Sequence, residues 1–126
     1  GKGRKIALLP EKLEADYLFY SSDKEGDDRI EPPFEINNGD NIKFKLQAAP
    51  KDSSDTSYKW QGILQNRFDL QLVSEKKRSA TYKAVATESA AGSPASEDDD
   101  VIVHINFKVN DNKFSATWDP VIRIKR

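Results

Sequence analysis

Val101–Ile102–Val103–His104–Ile105–Asn106–Phe107–Lys108–Val109 carries an apolar residue at every second position. Successive side chains of a β-strand point to opposite faces, so Val101, Val103, Ile105, Phe107 and Val109 share an inward face. His104 and Lys108 fall on the outer one. Downstream, Asn110–Asp111–Asn112 reads as a short hairpin turn, and Phe114, Ala116 and Trp118 take the inward face up again. Trp118–Asp119–Pro120 then interrupts the pattern. Pro120 brings no N–H to a ladder, and Asp119 before it is held extended. The expectation is a kinked or bulged last strand, with Val121 to Ile124 pairing on a new line.

The same alternation recurs upstream. Ile42, Phe44 and Leu46 alternate with Lys43 and Lys45 after an Asn37–Asn38–Gly39–Asp40 turn, whose Asn and Gly tolerate positive φ. Tyr58 and Trp60 start another inward set. Phe68, Leu70 and Leu72 form a further one with Asp69 and Gln71 opposite, and Ala80, Tyr82, Ala84 and Ala86 give a small-residue face. Lys5–Ile6–Ala7–Leu8–Leu9 and Tyr17–Leu18–Phe19–Tyr20 read as strands. Pro10–Glu11–Lys12–Leu13–Glu14–Ala15 reads as one helical turn with Pro first. Pro32–Pro33 forces an extended entry into Phe34–Glu35–Ile36. Polar loops are expected at Asp23–Glu31, Pro50–Asp55 and Ser89–Asp100. About eight short strands with such turn signals predict one domain over residues 1–126, all-β. The expected architecture is an antiparallel immunoglobulin-like sandwich of about seven to nine strands in two sheets, with a closed barrel as the structural alternative.

The chain has 126 residues, the usual size of one domain and long enough for a core of its own. Charged residues make up 33%, but six Phe, four Tyr and two Trp set the chain apart from a disordered one. The net charge is −1, with ten Lys/Arg and twelve Asp/Glu in residues 1–63 and ten and nine in the remainder. Interspersed charge of this kind argues against a nucleic-acid or membrane partner. Without cysteine there is no disulfide, thiolate metal site or Cys nucleophile. No apolar run approaches the roughly 20 residues that span a bilayer. The sequence has no Met and begins Gly1–Lys2–Gly3, so a processed or trimmed start is expected.

No motif assembles a catalytic site. His104 is the only histidine and falls on an outward position, where a solvated strand residue is the expected role. Glu97–Asp98–Asp99–Asp100 offers four carboxylates to a calcium ion, but adjacent residues converge poorly on one cation. Asp23–Lys24–Glu25–Gly26–Asp27–Asp28 lacks the alternating spacing and terminal Glu of a calcium loop. Lys76–Lys77–Arg78 reads as a solvated turn. Trp60 and Trp118 are candidates for stacking on sugars, yet both follow inward patterns that make them core residues. Neither a phosphate loop nor a nucleophile elbow is present. The expectation is a non-enzymatic soluble domain without metal or cofactor.

Phe34–Glu35–Ile36–Asn37–Asn38–Gly39–Asp40–Asn41–Ile42–Lys43–Phe44, then Tyr58–Lys59–Trp60–Gln61–Gly62–Ile63–Leu64, then Trp118–Asp119–Pro120–Val121–Ile122–Arg123–Ile124 give an order that resembles the bacterial AidA/PixA family of inclusion-body proteins. The likeness covers residues 34–124 in outline and rests on two short motifs, Gly39–Asp40 and Trp118–Asp119–Pro120. It implies an all-β sandwich and a non-catalytic bacterial protein that accumulates or self-associates, and it carries over no catalytic residue. The function expected is an interaction or assembly domain with a protein partner or a second copy. The alternatives are a carbohydrate-binding module and a calcium-dependent module using Asp98, Asp99 and Asp100.

Overall fold

The structure, a computed structural model, describes residues 3–13, 16–23, 33–47, 56–86 and 97–125. These residues hold β1 (Gly3–Leu13), β2 (Asp16–Asp23), β3 (Phe34–Asn37), β4 (Asn41–Leu46), β5 (Tyr58–Gln65), β6 (Leu70–Glu75), β7 (Ser79–Ala84), β8 (Asp100–Val109) and β9 (Asn112–Lys125), with one 3-10 turn at Glu97–Asp99. The loops expected at 24–31, 50–55 and 89–96 lie outside the described residues, as does most of the 23–28 candidate calcium loop.

The strands form two packed sheets, in the orders β2-β1-β4-β7-β6 and β3-β9-β8-β5. Most neighbours are antiparallel, as expected. Two pairings correct the expectation of a purely antiparallel sandwich: β1 runs parallel to β4 and β3 parallel to β9, so both sheets are mixed. Gly39, at φ 91°, turns the chain out of β3 in one sheet and into β4 in the other. Asn38 N–H bonds the Lys125 carbonyl and Gly39 N–H bonds the Ala84 carbonyl, tying that turn to both sheets.

A second correction concerns Pro10, which stands in β1 and not in a helical turn. β4 ends beside Leu8, whose carbonyl takes the last bond on that side, from Gln47 N–H. Backbone groups two residues apart in a strand point the same way. The N–H that Pro10 lacks therefore corresponds to the side where β1 has no neighbour among the described residues, and no ladder bond among them is lost.

Inward residues of both sheets form one core, including Ile6, Leu8, Ile42, Phe44, Val103, Ile105, Phe107 and Ile122. An aromatic chain crosses it. Trp60 stacks on Phe44 at 5.8 Å between centroids and 17° between planes, Phe44 meets Trp118 edge-on at 5.2 Å, and Trp118 meets Phe34 at 5.8 Å. Since Phe44 belongs to one sheet and both tryptophans to the other, the chain locks the layers together.

β9 is bulged where Pro120 stands. Val103 pairs with Trp118, but Val101 pairs with Ile122, so three residues of β9 face one of β8. Beyond the bulge β9 also pairs with β3, Phe34 beside Ile122 and Ile36 beside Ile124, which is the new line expected from the sequence. The hairpin turn before it holds Asn110 at φ 54°.

Tyr82 joins the aromatic chain beside Trp60, with centroids 6.4 Å apart. Burial raises its pKa above the usual tyrosine value, the Trp60 indole N–H opposes this, and the Glu75 charge reinforces it. Trp60 Nε1 is itself buried with no partner that meets hydrogen-bond geometry, so the indole acts on the hydroxyl as a nearby dipole. Because the folded pKa is the higher one, the stability this residue contributes is complete below about pH 10 and is lost as pH rises toward the folded value. Alkaline unfolding of Tyr82→Phe is expected to start at higher pH than that of the parent. Coincident alkaline curves for the two proteins would contradict this.

Candidate functional site

Both tryptophans are core residues, 2% and 1% exposed for Trp60 and Trp118, so neither offers a platform to a sugar. His104 lies on the outer face of β8, exposed, its Nδ1 2.9 Å from Thr117 Oγ1 on β9. Asp100 is bound bidentate by Arg123, at 2.7 and 3.1 Å, which occupies the carboxylate with a cation and raises the Arg123 pKa. Among the described residues no group of three or more His, Cys, Asp or Glu side chains is placed to hold a metal ion. Lys76–Lys77–Arg78 makes the β6–β7 turn, with Lys76 N–H bonded to the Ser79 carbonyl.

The feature that the sequence hid is an apolar seam made by the edge strands β5 and β6, one from each sheet, and the loop that joins them. Along it Phe68 is 85% exposed, Leu64 62%, Val73 56% and Leu72 55%. The expectation that Phe68, Leu70 and Leu72 share a buried face holds for Leu70 alone. Phe68 sits in the β5–β6 loop, ahead of the strand. Leu72 stands opposite the inward Tyr82, so it points between the sheets at their open margin, where β5 leaves it uncovered. Val73 is the extra residue of a bulge between Leu72 and Ser74. Leu64 owes its place to another bulge. Gly62, at φ 105°, shifts the register of β5 against β8, so that Ile63 continues the inward face set by Tyr58 and Trp60 and Leu64 turns out.

The backbone edges beside this seam are engaged at their two ends. The Gln65 side-chain amide donates to the Leu70 carbonyl at 2.9 Å and accepts from Leu70 N–H at 3.1 Å, standing in for a neighbouring strand. At the other end Trp60 N–H bonds the Lys77 carbonyl at 2.7 Å. Caps, a bulge and flanking lysines are what blunts an edge against strand addition. The side chains therefore remain as the contact surface.

Polar bonds hold the β5–β6 loop under Phe68. Asn66 accepts from Ile102 N–H at 2.7 Å and donates to the Asp100 carbonyl at 3.1 Å. Arg67 pairs with the buried Asp69 at 3.0 Å and reaches the Asp98 carbonyl at 3.4 Å. Asn66→Ala is expected to cost about 1 kcal/mol, because it leaves two backbone groups to water. The midpoint of urea unfolding measures this, and an unchanged midpoint would mean that these bonds do not hold the loop.

No protein-family model matches this sequence, and no curated protein matches it either.

Proposed function

We propose that this chain is a non-catalytic interaction or assembly domain, and that its contact surface is the seam of Leu64, Phe68, Leu72 and Val73. The observation that carries this reading is the four large apolar side chains, each more than half exposed, along one margin. Folded monomers rarely leave such residues contiguous without a partner. The partner assigned is a second copy of the chain. The seam is basic at its Lys76–Lys77 end and acidic at the Glu97–Asp98 end, where Arg67 reaches across. Two copies related by a two-fold axis and laid antiparallel bring each basic end to the other's acidic end and cover both apolar margins at once.

The finer fold belongs to the same proposal. β4-β7-β6 faces β9-β8-β5, β3 lies beside β9, and the β1–β2 hairpin extends the first sheet past β4. This order supports an immunoglobulin-like reading of residues 34–125, with Trp60 on the strand where that fold keeps its core tryptophan and Phe44 stacked on it in place of a disulfide. Kinship with the bacterial AidA/PixA family is part of this reading, supported by where its two short motifs fall, at the β3–β4 turn and the β9 bulge.

Sedimentation equilibrium from micromolar to millimolar protein tests the function. The parent is expected to associate, and Phe68→Ser/Leu72→Ser to stay monomeric with an unchanged melting temperature, since both side chains are exposed. A parent that is monomeric throughout, or a variant that associates like the parent, would overturn the proposal.

A further inference from the structure

The register brings Lys59, Lys108 and Lys113 into one row across β5, β8 and β9, each directly opposite the next. All three lie on the outer face of the four-stranded sheet, and no ion pair engages them among the described residues. Asp111 lies close by in the β8–β9 turn without pairing to Lys113. Like charges directly opposite one another destabilise a sheet, so a row of three calls for an anionic partner. With strands about 4.8 Å apart, the row spans about 10 Å. The next outward row holds Gly62, Asn106 and Ser115, with Gln61 as the bulged residue beside Gly62, and the row after it holds Leu64, His104 and Thr117. Apart from Gly62 and Leu64 these are amides, hydroxyls and an imidazole, with no carboxylate among them.

We propose that this outer face binds a linear acidic polysaccharide, its sulfates or carboxylates on the lysine row and its hydroxyls on Gln61, Asn106 and Ser115. Three features favour that class. The charges form a line and not a two-dimensional array, which suits a chain better than a membrane plane. The spacing is close to the length of one sugar unit. The described part of the face carries no exposed Phe, Tyr or Trp to stack on bases, and its one arginine, Arg123, is engaged by Asp100, whereas stacking platforms and free Arg forks mark nucleic-acid sites. The sequence hid the face, because acidic residues interleave with the lysines along the chain and only strand register brings the three lysines together. This departs from the expectation of a chain without a charged face.

The opposite sheet supplies an internal control. Lys5 and Lys43 stand directly opposite on its outer face with Thr81 next to them, Lys45 stands between Ala7 and Ser79, and Lys83 stands between Asn41 and Gln71, so no three lysines align there. The test is calorimetric titration of the full chain with heparin and with polygalacturonate, with neutral dextran as control and with duplex DNA and phosphatidylserine vesicles as rival ligands. At low salt one or both acidic polysaccharides are expected to bind, dextran not at all, and 1 M salt, with a Debye length of about 3 Å, to abolish binding. Lys59→Glu/Lys108→Glu is expected to weaken binding by about tenfold or more, and Lys43→Glu/Lys45→Glu by much less. The proposal is overturned if neither acidic polysaccharide binds, if DNA or vesicles bind more tightly than both, or if the two variants lose affinity equally. Association through the seam is read separately by sedimentation and stands or falls without this result.

Discussion

Trp60→Ala is expected to destabilise the domain by about 3–5 kcal/mol, the usual cost of truncating a large buried aromatic. Trp60 is the hinge of the aromatic chain. It stacks on Phe44 of the opposite sheet, packs against Tyr82, and sits directly across from Phe107 on β8. Its removal opens a cavity between the layers, where relaxation is limited because β4 and β7 are interior strands of their own sheet. Total stability for a domain is of order 5–15 kcal/mol, so the loss is a large share of it. The melting temperature should fall by roughly 10–20 °C. Trp60→Phe should recover much of it by keeping the stack on Phe44. A loss below about 1 kcal/mol for Trp60→Ala would mean that the two sheets are not joined through this residue.

Gly62→Val is the second large effect, expected to cost about 1–3 kcal/mol. A Cβ at Gly62 meets nothing within 4 Å, so the penalty is not steric crowding from neighbours. It comes from φ 105°, a conformation that a β-branched residue adopts only under strain. The consequence reaches the seam. If β5 sheds the bulge to relieve that strain, alternation from Trp60 returns and Leu64 turns inward. Chemical denaturation gives the cost. Association of the variant gives the consequence, which should be weaker than that of the parent. Stability equal to the parent's would show that Gly62 does not need its positive φ.

The contrast between Ile105 and Leu64 shows what was legible in the sequence. β8 alternates without a break, so period two alone placed Val101 to Val109 correctly, and the same holds for β4 and β7. The Pro120 bulge could also be foreseen, because proline announces a lost ladder bond. The bulges at Gly62 and Val73 carry no such mark. One extra residue exchanges the two faces of everything after it, and a glycine in a strand was the sole signal for the first. Phe68 and Leu72 depart from the expected pattern for a further reason. Strand periodicity tells which side a residue faces but not whether a second layer covers it there, and β6 lies at the margin. Sheet partners are also non-local, so no local pattern marks the parallel pairings of β1 with β4 and β3 with β9. The lysine row leaves no local mark in the sequence, because Lys59, Lys108 and Lys113 meet only through register.

The most direct test of the central claim, that the domain meets its like through the β5–β6 seam, is a residue-resolved amide NMR dilution series. As concentration rises, the amides of Leu64, Phe68, Leu72 and Val73 should shift together along one binding curve, with Lys76, Lys77, Glu97 and Asp98 following at the two ends. The amides of Trp60 and Leu70, already bonded to Lys77 and Gln65, should keep their hydrogen bonds and move little. Shifts concentrated instead on β2 or β3 at the opposite margin, or none anywhere up to millimolar protein, would contradict the account.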